Sequence, residues 1–412
     1  MRRIWVLMAT VFVDMIGFLM VLPLLPFYAQ RYGASPSVIG ALVSSFAFAQ
    51  LVTAPWWGRL SDRYGRRPMI VAGLLASGAA YIVFGLAQSV LMLLLSRLIQ
   101  GAGGGTIGVV QAYVADAVEP AERAKALGWL TAATSAGVMV GPGIASLAAS
   151  WNPAAPGFVA AGLCLANSIS AWLWLPESVD LAAAGSGPPI ERVPLRRAVW
   201  SVLRHPRAKV AALIWIYALG IMAFMAMNGI LVLYLDQVHG ITTQTIGLFY
   251  MYVGGVSLLM RAVLLGPAVR WLGEVRVMRV GILGLAMGFV AIPLAATIPQ
   301  LAAAAALIPI GTALLFPATT SLVSSLASRR ETGQVLGVQQ AFGGISRLVG
   351  PLWAGAAFEY VGIRSPFWIC AAFMGLVLLA AGRLDLGESP GRGEAPPEVG
   401  ESIEAVSSQA PS

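Results

Sequence analysis

The sequence contains few charged residues for its length. Asp, Glu, Lys and Arg make up 11% of its 412 residues, whereas an average soluble protein has about 25%. Hydrophobic residues account for 58% of the chain, and the mean hydropathy is +0.80. These values exclude an ordinary water-soluble protein and predict an all-helical integral membrane protein with many spans.

Cysteine and histidine are also scarce, with two residues of each. Cys164 and Cys370 both lie inside apolar runs, which is typical of small buried residues and not of a disulfide or a metal site. His205 and His239 lie in separate loops. The glycine-rich stretch 101–105 lacks the strand context and the Lys-Ser/Thr ending of a phosphate-binding loop, so its small residues should allow close helix packing. We therefore expect no metal, no cofactor and no enzymatic activity.

The positive charges are placed unevenly along the chain. The net charge is +8, and all but five of the 26 Lys and Arg residues fall in the tails or in every second loop. Because Lys and Arg are retained on the cytoplasmic side of membrane proteins, this pattern reflects topology and not nucleic-acid binding. It predicts a multi-pass protein of the cell (inner) membrane with both termini in the cytoplasm.

Apolar runs of about 20 residues, the length that crosses a bilayer as a helix, predict twelve spans. They cover approximately residues 5–28, 38–58, 69–87, 90–115, 125–149, 157–175, 208–235, 244–265, 277–296, 298–326, 334–358 and 365–384. Residues 1–176 and 208–384 would form two bundles of six helices. The polar residues 177–207 would link them in the cytoplasm, and the Gly-, Pro-, Glu- and Ser-rich tail 385–412 would be disordered.

Two sequence patterns recur in the second half at nearly the same distance. The glycine and charge pattern of residues 58–65 has a weaker copy at 266–273, 208 residues later. The pattern of residues 122–142 recurs at 331–351, 209 residues later. Chance similarity between glycines does not easily give one offset twice. The repeat therefore predicts two parallel bundles with a transport site between them.

The strongest motif is the stretch Gly58-Arg-Leu-Ser-Asp-Arg-Tyr-Gly-Arg-Arg-Pro68, a basic hairpin between two apolar runs. Gly58 and Gly65 would allow tight turns, and Pro68 would lie in the first turn of the next helix. A basic loop could simply set the topology, but that role would not require Asp62 and two spaced glycines. The pattern resembles the loop between helices 2 and 3 of the major facilitator superfamily of transporters.

This resemblance implies twelve transmembrane helices in two pseudo-symmetric bundles. It also implies a cytoplasmic gate formed by Gly58, Asp62, Arg63, Gly65, Arg66 and Arg67. In the family, an acid at the end of the fourth helix pairs with the arginine that corresponds to Arg66, and here that acid is Asp116. Asp62 would also face a helix N-terminus of the other half, so the network would hold only while the cytoplasmic side is closed. The alternative is a set of ordinary surface ion pairs, each worth under about 1 kcal/mol.

Asp14 lies about ten residues into the first apolar run. Because an ionised carboxylate costs a few kcal/mol inside a bilayer, Asp14 should face a cavity, be paired or be protonated. The stretch from Asp14 to Tyr28, with Gly17, Pro23 and Pro26, resembles the first helix of drug/proton antiporters, including the tetracycline-efflux branch. The resemblance implies a proton- or cation-coupling site. The alternative is a carboxylate that serves helix packing or folding.

Arg97 begins the sequence Arg97-x-x-Gln100-Gly101 in the fourth span. A permanently charged guanidinium in an apolar layer needs partners. The sequence resembles the Arg-x-x-Gln-Gly motif of the family, which is tied to proton transfer. The resemblance implies that Arg97 is the electrostatic partner of Asp14, and Gln100 would lie beside the substrate cavity.

The fifth span carries small residues at a helical repeat, Gly137, Gly141 and Ala145, so another helix can approach this face closely. Pro142 removes a backbone hydrogen bond and bends the helix. The pattern resembles the antiporter motif that separates exporters from uptake porters, and it implies a hinge formed by Gly137, Gly141 and Pro142. The family's motif ends in Gly-Gly, whereas this chain has Ala145-Ser146, which keeps the packing argument but softens the inference of export.

The second half has two arginines within its spans. Arg261 would lie about one turn from the cytoplasmic end, where its side chain can reach the interface, whereas the deeper Arg347 could meet an anionic group or a carboxylate. Methionine is flexible and polarisable and suits a cavity for varied apolar compounds, although Met-rich helices are more often core or lipid-facing. On that basis the candidate cavity residues of the seventh span are Met222, Met225 and Asn228.

The sequence therefore predicts a monomeric, proton-coupled exporter of small amphipathic compounds, with its substrate, protons and the lipid bilayer as partners. Tetracycline exporters also carry acids in the third and ninth spans, and none occurs at 69–87 or 277–296, which puts tetracycline itself in doubt. One alternative is a proton-coupled uptake porter for an organic anion or metabolite, with Arg97 and Arg347 as ligands. Another is a transporter-like sensor that does not transport.

Overall fold

The computed structural model describes residues 2–119, 122–178, 195–206, 208–327 and 331–384, and the regular elements in these ranges are helical. The helices are α1 (Arg2–Val21), α2 (Leu25–Arg31), α3 (Pro36–Tyr64), α4 (Arg66–Gly85), α5 (Val90–Gly103), α6 (Thr106–Ala117), α7 (Arg123–Trp151), α8 (Ala155–Trp174), α9 (Leu195–Arg204), α10 (Lys209–His239), α11 (Ile246–Leu259), α12 (Leu265–Leu272), α13 (Glu274–Ala291), α14 (Ile298–Leu326), α15 (Thr332–Tyr360) and α16 (Ser365–Arg383). A π-helical turn at Met260–Leu264 joins α11 to α12, and a 3₁₀ turn follows α13 at Ile292–Leu294. The predicted all-helical fold is confirmed.

Eleven helical segments of the described ranges are long and apolar enough to cross a membrane. The predicted span 334–358 corresponds to α15, which has 29 residues and carries Gln339 and Arg347. Helix α15 packs against α3 and α10. By this position in the fold it is the twelfth span.

Two of the spans are interrupted. The segment Trp5–Arg31 breaks between α1 and α2 at a turn that contains Pro23, because proline cannot donate the helical hydrogen bond. The segment Val90–Ala117 breaks at Gly104-Gly105, where helix propensity is lowest. A Cβ added at Gly103 would lie 2.7 Å from the Cβ of Ala76, so the prediction of close helix packing around 101–105 is confirmed.

The hairpin between α3 and α4 turns at a single residue. Helix α3 continues through Gly58 to Tyr64, so the expected turn at Gly58 is wrong. Gly65 alone makes the turn, with a φ of +98° that favours glycine. In the second half, Gly273 occupies the same place between α12 and α13 with a φ of +77°. The two turns support the 208-residue repeat found in the sequence.

The two halves of the chain meet at one end of the molecule. Helix α3 packs against α15, and α7 packs against α11. The hydrogen bonds between described residues of the two halves are Ser37 N to Glu359, Ser44 Oγ to Leu348 O, Ser146 Oγ to Thr243 O and Gly247 N to Ser146 Oγ. All four lie away from the arginine-rich residues 59–67, whose end of the molecule we call the basic end. The described part of the chain is therefore joined at the opposite end and has no such bond between its halves at the basic end.

The predicted linker 177–207 contains a helix, α9, which contacts α10 and α15. Val202 on this helix is 9% exposed. Residues 179–194 of the linker and the predicted tail 385–412 lie outside the described residues.

Candidate functional site

Arg66 joins two carboxylates at the basic end. It is the first residue of α4, and its guanidinium lies 2.6 Å from Oδ1 of Asp62 and 2.9 Å from Oδ2 of Asp116. Nη1 of Arg66 also donates a hydrogen bond to Oγ of Ser61 at 2.6 Å. The Arg66 side chain is 12% exposed, whereas that of Asp62 is 68% exposed. The structure thus brings together three of the sequence-predicted residues, Asp62, Arg66 and Asp116.

These ion pairs lie entirely within the first half of the chain. The network is present although no hydrogen bond joins the described parts of the two halves at the basic end, so the expectation that it holds only while this end is closed is wrong. The expected contact of Asp62 with a helix N-terminus of the other half belongs to the closed state and stays a prediction. Asp62 near the end of α3 reaches Arg66 across the turn at Gly65, and Asp116 belongs to the same bundle. The pairing therefore needs no contact with the second half.

The remaining residues of the loop make local contacts. Among the described residues outside its own helix, none comes within 4 Å of a Cβ built on Gly58. The guanidinium of Arg63 lies 5.4 Å from the ring centroid of Tyr64. That of Arg67 lies 4.5 Å from the ring centroid of Trp172, and Nη2 of Arg67 donates to the Trp172 carbonyl. Arg67 thus connects the start of α4 to the end of α8.

Glu177 was missed by sequence reasoning, which placed it at the start of the linker. Its carboxylate accepts hydrogen bonds from the backbone N–H groups of Arg66 at 2.8 Å and Arg67 at 3.1 Å, the first two residues of α4. A carboxylate there satisfies N–H groups that have no helical partner and complements the helix dipole. A Cβ at Gly65 would collide with the same carboxylate. The sequence offered one signal for this role: Glu177 is an acid that follows two residues after Leu175, at the end of an apolar run and near a basic loop.

Arg97 is almost completely buried, with 1% of the residue exposed. Its Nη1 donates to Oε1 of Gln100, and Nε2 of Gln100 donates to the hydroxyl of Tyr81 at 2.7 Å. The guanidinium also lies 4.8 Å from the ring centroid of Phe46 and 5.7 Å from that of Phe18, distances at which a cation is attracted to an aromatic face. Arg97 is therefore held by an amide and two aromatic rings, and Gln100 serves this network.

Asp14 is half-buried in α1 and has no ion pair within the described residues. Tyr81 is within electrostatic range of both Asp14 and Arg97. The ring of Tyr81 also packs against α1, because a Cβ at Gly17, three residues after Asp14, would lie 2.9 Å from a ring carbon. Tyr81 is thus near both Asp14 and Arg97, which form no ion pair with each other. Sequence reasoning missed Tyr81, whose only signal was a hydroxyl within an apolar run.

Helix α7 packs closely against helices of both halves. A Cβ at Gly137 would lie 2.6 Å from the carbonyl oxygen of Phe12, and one at Gly141 would lie 2.7 Å from that of Ile16. These contacts confirm the predicted close approach of another helix, which is α1. Pro142 lies inside α7, and its carbonyl contacts Gly247 of α11.

The candidate residues of the second half lie on two helices that pack together, α10 and α15. The backbone of Met222 and the Cβ of Met225 lie against Gly350, where α10 packs on α15. Asn228 donates to the carbonyl oxygen of Phe224 within its own helix at 2.8 Å. Arg347 is half-buried and has no ion pair within the described ranges. The described residues also contain no group of three or more His, Cys, Asp or Glu that could hold a metal ion.

The helix that carries Arg261 is longer than the sequence predicted. The predicted span ended at residue 265, but the helical segment continues to Leu272 through α12. Arg261 is therefore eleven residues from that end, about 16 Å at a rise of 1.5 Å per residue. That its side chain reaches the interface stays a prediction.

Comparison with known proteins identifies relatives along almost the whole chain. The family model of the Major Facilitator Superfamily matches residues 7–298 and 262–409. Multidrug resistance protein 2 of Bacillus subtilis (strain 168) is 29% identical over 379 residues, which cover 91% of this chain and 92% of that protein. The quinolone resistance protein NorA of Staphylococcus aureus (strain MRSA252) is 25% identical over 369 residues, covering 89% and 92%. The class B tetracycline resistance protein of Escherichia coli is 32% identical over 168 residues, covering 40% and 42%.

Solved structures show the same fold. The human organic anion transporter MFSD10 (TETRAN) superposes with a TM-score of 0.71 at 22% identity, covering 92% of this chain and 99% of that one. A bacterial homologue of the human lysosomal transporter Spinster, in an inward-facing and unoccupied conformation, superposes with a TM-score of 0.72 at 15% identity, covering 92% and 97%.

Proposed function

Because the chain belongs to the Major Facilitator Superfamily, we propose that it is a secondary active transporter that exports small amphipathic compounds in exchange for protons. Its similarity along most of its length to multidrug and quinolone resistance proteins supports export. The sequence offers no nucleotide-binding motif, so the proposed energy source is the proton gradient across the membrane.

The observation that carries proton coupling is the position of Asp14. This carboxyl group lies within a span, is half-buried, and is near Tyr81, whose hydroxyl accepts a hydrogen bond from the Gln100 that holds the buried cation Arg97. A carboxyl group that can be neutral or charged inside a membrane suits the uptake and release of a proton. Asp14 would carry the proton, and Arg97 would act on it through Gln100 and Tyr81.

Transport would proceed by alternating access between the two halves. We assign the basic end to the cytoplasm because loops rich in Lys and Arg remain there. The arrangement of the halves then corresponds to a state open to the cytoplasm. Closure of the basic end would bring Asp62 toward the second half, and Gly137, Gly141 and Pro142, which lie between α1 and α11, would form the hinge.

The remaining predictions complete this proposal. The protein would act as a monomer in the cell membrane with both termini in the cytoplasm. Its halves would comprise residues 1–176 and 208–384, joined by the linker 177–207. The substrate cavity between them would include Gln100, Met222, Met225, Asn228 and Arg347.

A toxicity screen tests the direction of transport and its energy source. Cells that lack their own drug pumps would express the protein and be exposed to a broad panel of toxic amphipathic compounds, with and without a protonophore. We expect resistance to several compounds and loss of that resistance with the protonophore. Resistance that survives collapse of the proton gradient contradicts proton coupling.

The best compound from this screen then tests Asp14 in purified vesicles. We expect Asp14→Asn to abolish transport driven by a pH difference while the protein remains folded in the membrane. The matched control is Asp236→Asn near the end of α10, which should transport normally. Unchanged transport by the Asp14→Asn protein would remove Asp14 from the mechanism.

The second candidate function is proton-coupled uptake of an organic anion or metabolite. It is favoured by three arginines that lie within spans and form no ion pair in the described parts of the chain, namely Arg97, Arg261 and Arg347. An uptake porter would leave drug accumulation unchanged, and its uptake would rise with an inward proton gradient.

A further inference from the structure

Arg261 is a permanently charged residue in the middle part of a membrane-spanning helix. The segment Ile246–Leu272 has 27 residues, and Arg261 lies 15 residues after its start. The Arg261 side chain is half-buried. An arginine within a span requires a partner, a water-filled cavity or access to the interface.

Within the described residues, Arg261 has no protein partner that neutralises it. Its Nε atom is buried and makes no hydrogen bond, and none of the ion pairs involves this residue. A buried donor that remains unsatisfied costs about 1–3 kcal/mol, and more when the group is charged. A residue retained at such a cost is a candidate for binding a group that the protein does not itself supply.

The face of the helix that carries Arg261 points toward the first half of the chain. Gly247, Gly254 and Arg261 are spaced by seven residues, which is nearly two turns, so they share one face. A Cβ at Gly247 would meet Ser146, and one at Gly254 would lie 2.8 Å from Cα of Met139, both on α7. Arg261 is the next position on this face toward the basic end. It therefore lies beyond these contacts, on the side where the described residues of the two halves form no hydrogen bond with each other.

The facing part of α7 offers hydroxyl groups but no acid. Ser135 and Thr131 lie one and two turns from Met139 toward the basic end. Their hydroxyls donate to carbonyl oxygens of α7 itself, Ser135 to Thr131 at 2.9 Å and Thr131 to Leu127 at 2.9 Å. This stretch of α7 thus offers hydroxyl groups and no carboxylate to the side of the helix on which Arg261 lies.

The backbone at Arg261 is also irregular. The π-helical turn Met260–Leu264 contains Arg261 and is followed three residues later by Pro267. Pro267 has no N–H to offer the carbonyl of Val263, and its ring crowds that carbonyl, which explains a change of helical geometry just before it. Single π-helical turns are often found at functional sites.

We propose that Arg261 binds an anionic group, such as a carboxylate, of an amphipathic molecule that enters the space between the two halves. The guanidinium can form two parallel hydrogen bonds to such a group. This proposal depends on the proposed transport function only for what happens to the molecule after it has bound. Binding itself needs no gradient and no transport.

A matched pair of ligands tests this site at equilibrium. Pyrenebutyrate carries a carboxylate, and its amide is neutral and almost identical in shape. The purified full-length protein would be studied in nanodiscs of phosphatidylcholine, with binding followed by pyrene fluorescence. We expect the carboxylate to bind the unmodified protein about tenfold or more tightly than the amide, in line with a charge-assisted hydrogen bond.

Substitution of Arg261 should remove this preference. Arg261→Gln should bind the carboxylate and the amide equally, with amide binding unchanged as evidence of correct folding, and Arg261→Lys should retain part of the preference. Arg31→Gln, which changes an exposed arginine at the opposite end, should keep the full preference. The proposal is overturned if the unmodified protein shows no preference or if Arg261→Gln keeps it.

A competition experiment with an anionic lipid identifies the source of the anionic group. If the site takes a lipid headgroup, phosphatidylglycerol in the nanodiscs would compete with pyrenebutyrate for binding to the unmodified protein. It would not compete for binding to the Arg261→Gln protein. Absence of competition assigns the site to soluble solutes. Failure of export in the toxicity screen would leave these binding results intact, so the two proposals fail separately.

Discussion

Glu359 in α15 accepts a hydrogen bond from the backbone N–H of Ser37 at 2.9 Å, and this bond joins the two halves of the molecule. Ser37 is the second residue of α3, so the carboxylate meets N–H groups without helical partners and the positive end of a helix dipole. Nearby, Oγ of Ser44 donates to the carbonyl oxygen of Leu348 at 2.7 Å. The Glu359 bond exists only while this end is closed and therefore stabilises the closed form.

We expect Glu359→Ala to shift the population severalfold toward a form in which this end is open, because a contact made in only one state sets the balance between states. Spin labels on cysteines at positions 151 and 361, which are exposed and belong to different halves, would report the distance in a background without the two native cysteines. The variant should gain a longer distance. Glu122→Ala, which removes an exposed pair with Lys125, is the control, and identical distance distributions for both variants would refute the role of Glu359.

The network at the basic end should contribute to stability chiefly through Arg66. Its guanidinium is 12% exposed and makes three side-chain contacts. We expect Arg66→Ala to destabilise the protein by about 1–3 kcal/mol.

Asp62 is 68% exposed, so Asp62→Asn should change stability little but slow transport, because the proposed closure of the basic end uses Asp62. Thermal unfolding of purified protein and transport rates in vesicles measure the two effects, and normal turnover by Asp62→Asn would reduce the loop to a topology signal.

The close contact between α1 and α7 should not tolerate a side chain at Gly141. A Cβ there would lie 2.7 Å from the carbonyl oxygen of Ile16, so Gly141→Ala must push the helices apart and should cost about 1–3 kcal/mol. Gly128 lies on the same helix, and a Cβ at this position would meet no described residue outside the helix within 4 Å. Gly128→Ala should therefore be neutral or stabilise by up to about 1 kcal/mol. Thermal unfolding compares the two variants. Equal unfolding temperatures would show that the contact at Gly141 adapts without cost.

Features with a local or repeated pattern could be predicted from the sequence. The spans follow from apolar runs, and the Arg66 network follows from a motif of eleven residues together with Asp116. The contacts that were missed join distant parts of the chain. Glu177 caps α4 from 111 residues away in sequence, and Gln100 meets Tyr81 from another span. Such pairs leave no periodic signal in a single sequence.

Two further differences between sequence and structure have physical causes. The helix that carries Arg261 is longer than expected because Gly266 and Pro267 look like the end of a span, whereas the helix continues through a π-helical turn. The contact of Asp62 with the second half was expected because a transporter sequence encodes more than one conformation. A single structure shows one of them, here the one joined at the opposite end.

The hydroxyl of Tyr81 should position the buried amide that holds Arg97. Tyr81→Phe leaves Nε2 of Gln100 without its acceptor in a buried site, which costs about 1–3 kcal/mol and frees the amide that binds the guanidinium. If Asp14 and Arg97 communicate through this pair, the variant should lose about tenfold or more in proton-driven efflux while substrate binding without a gradient stays the same. Tyr32→Phe removes a hydroxyl that bonds the carbonyl of Ala87 elsewhere in the first half, and it should retain coupled efflux. Equal efflux by the Tyr81→Phe and Tyr32→Phe proteins would mean that Tyr81 only fills space between α1 and α5.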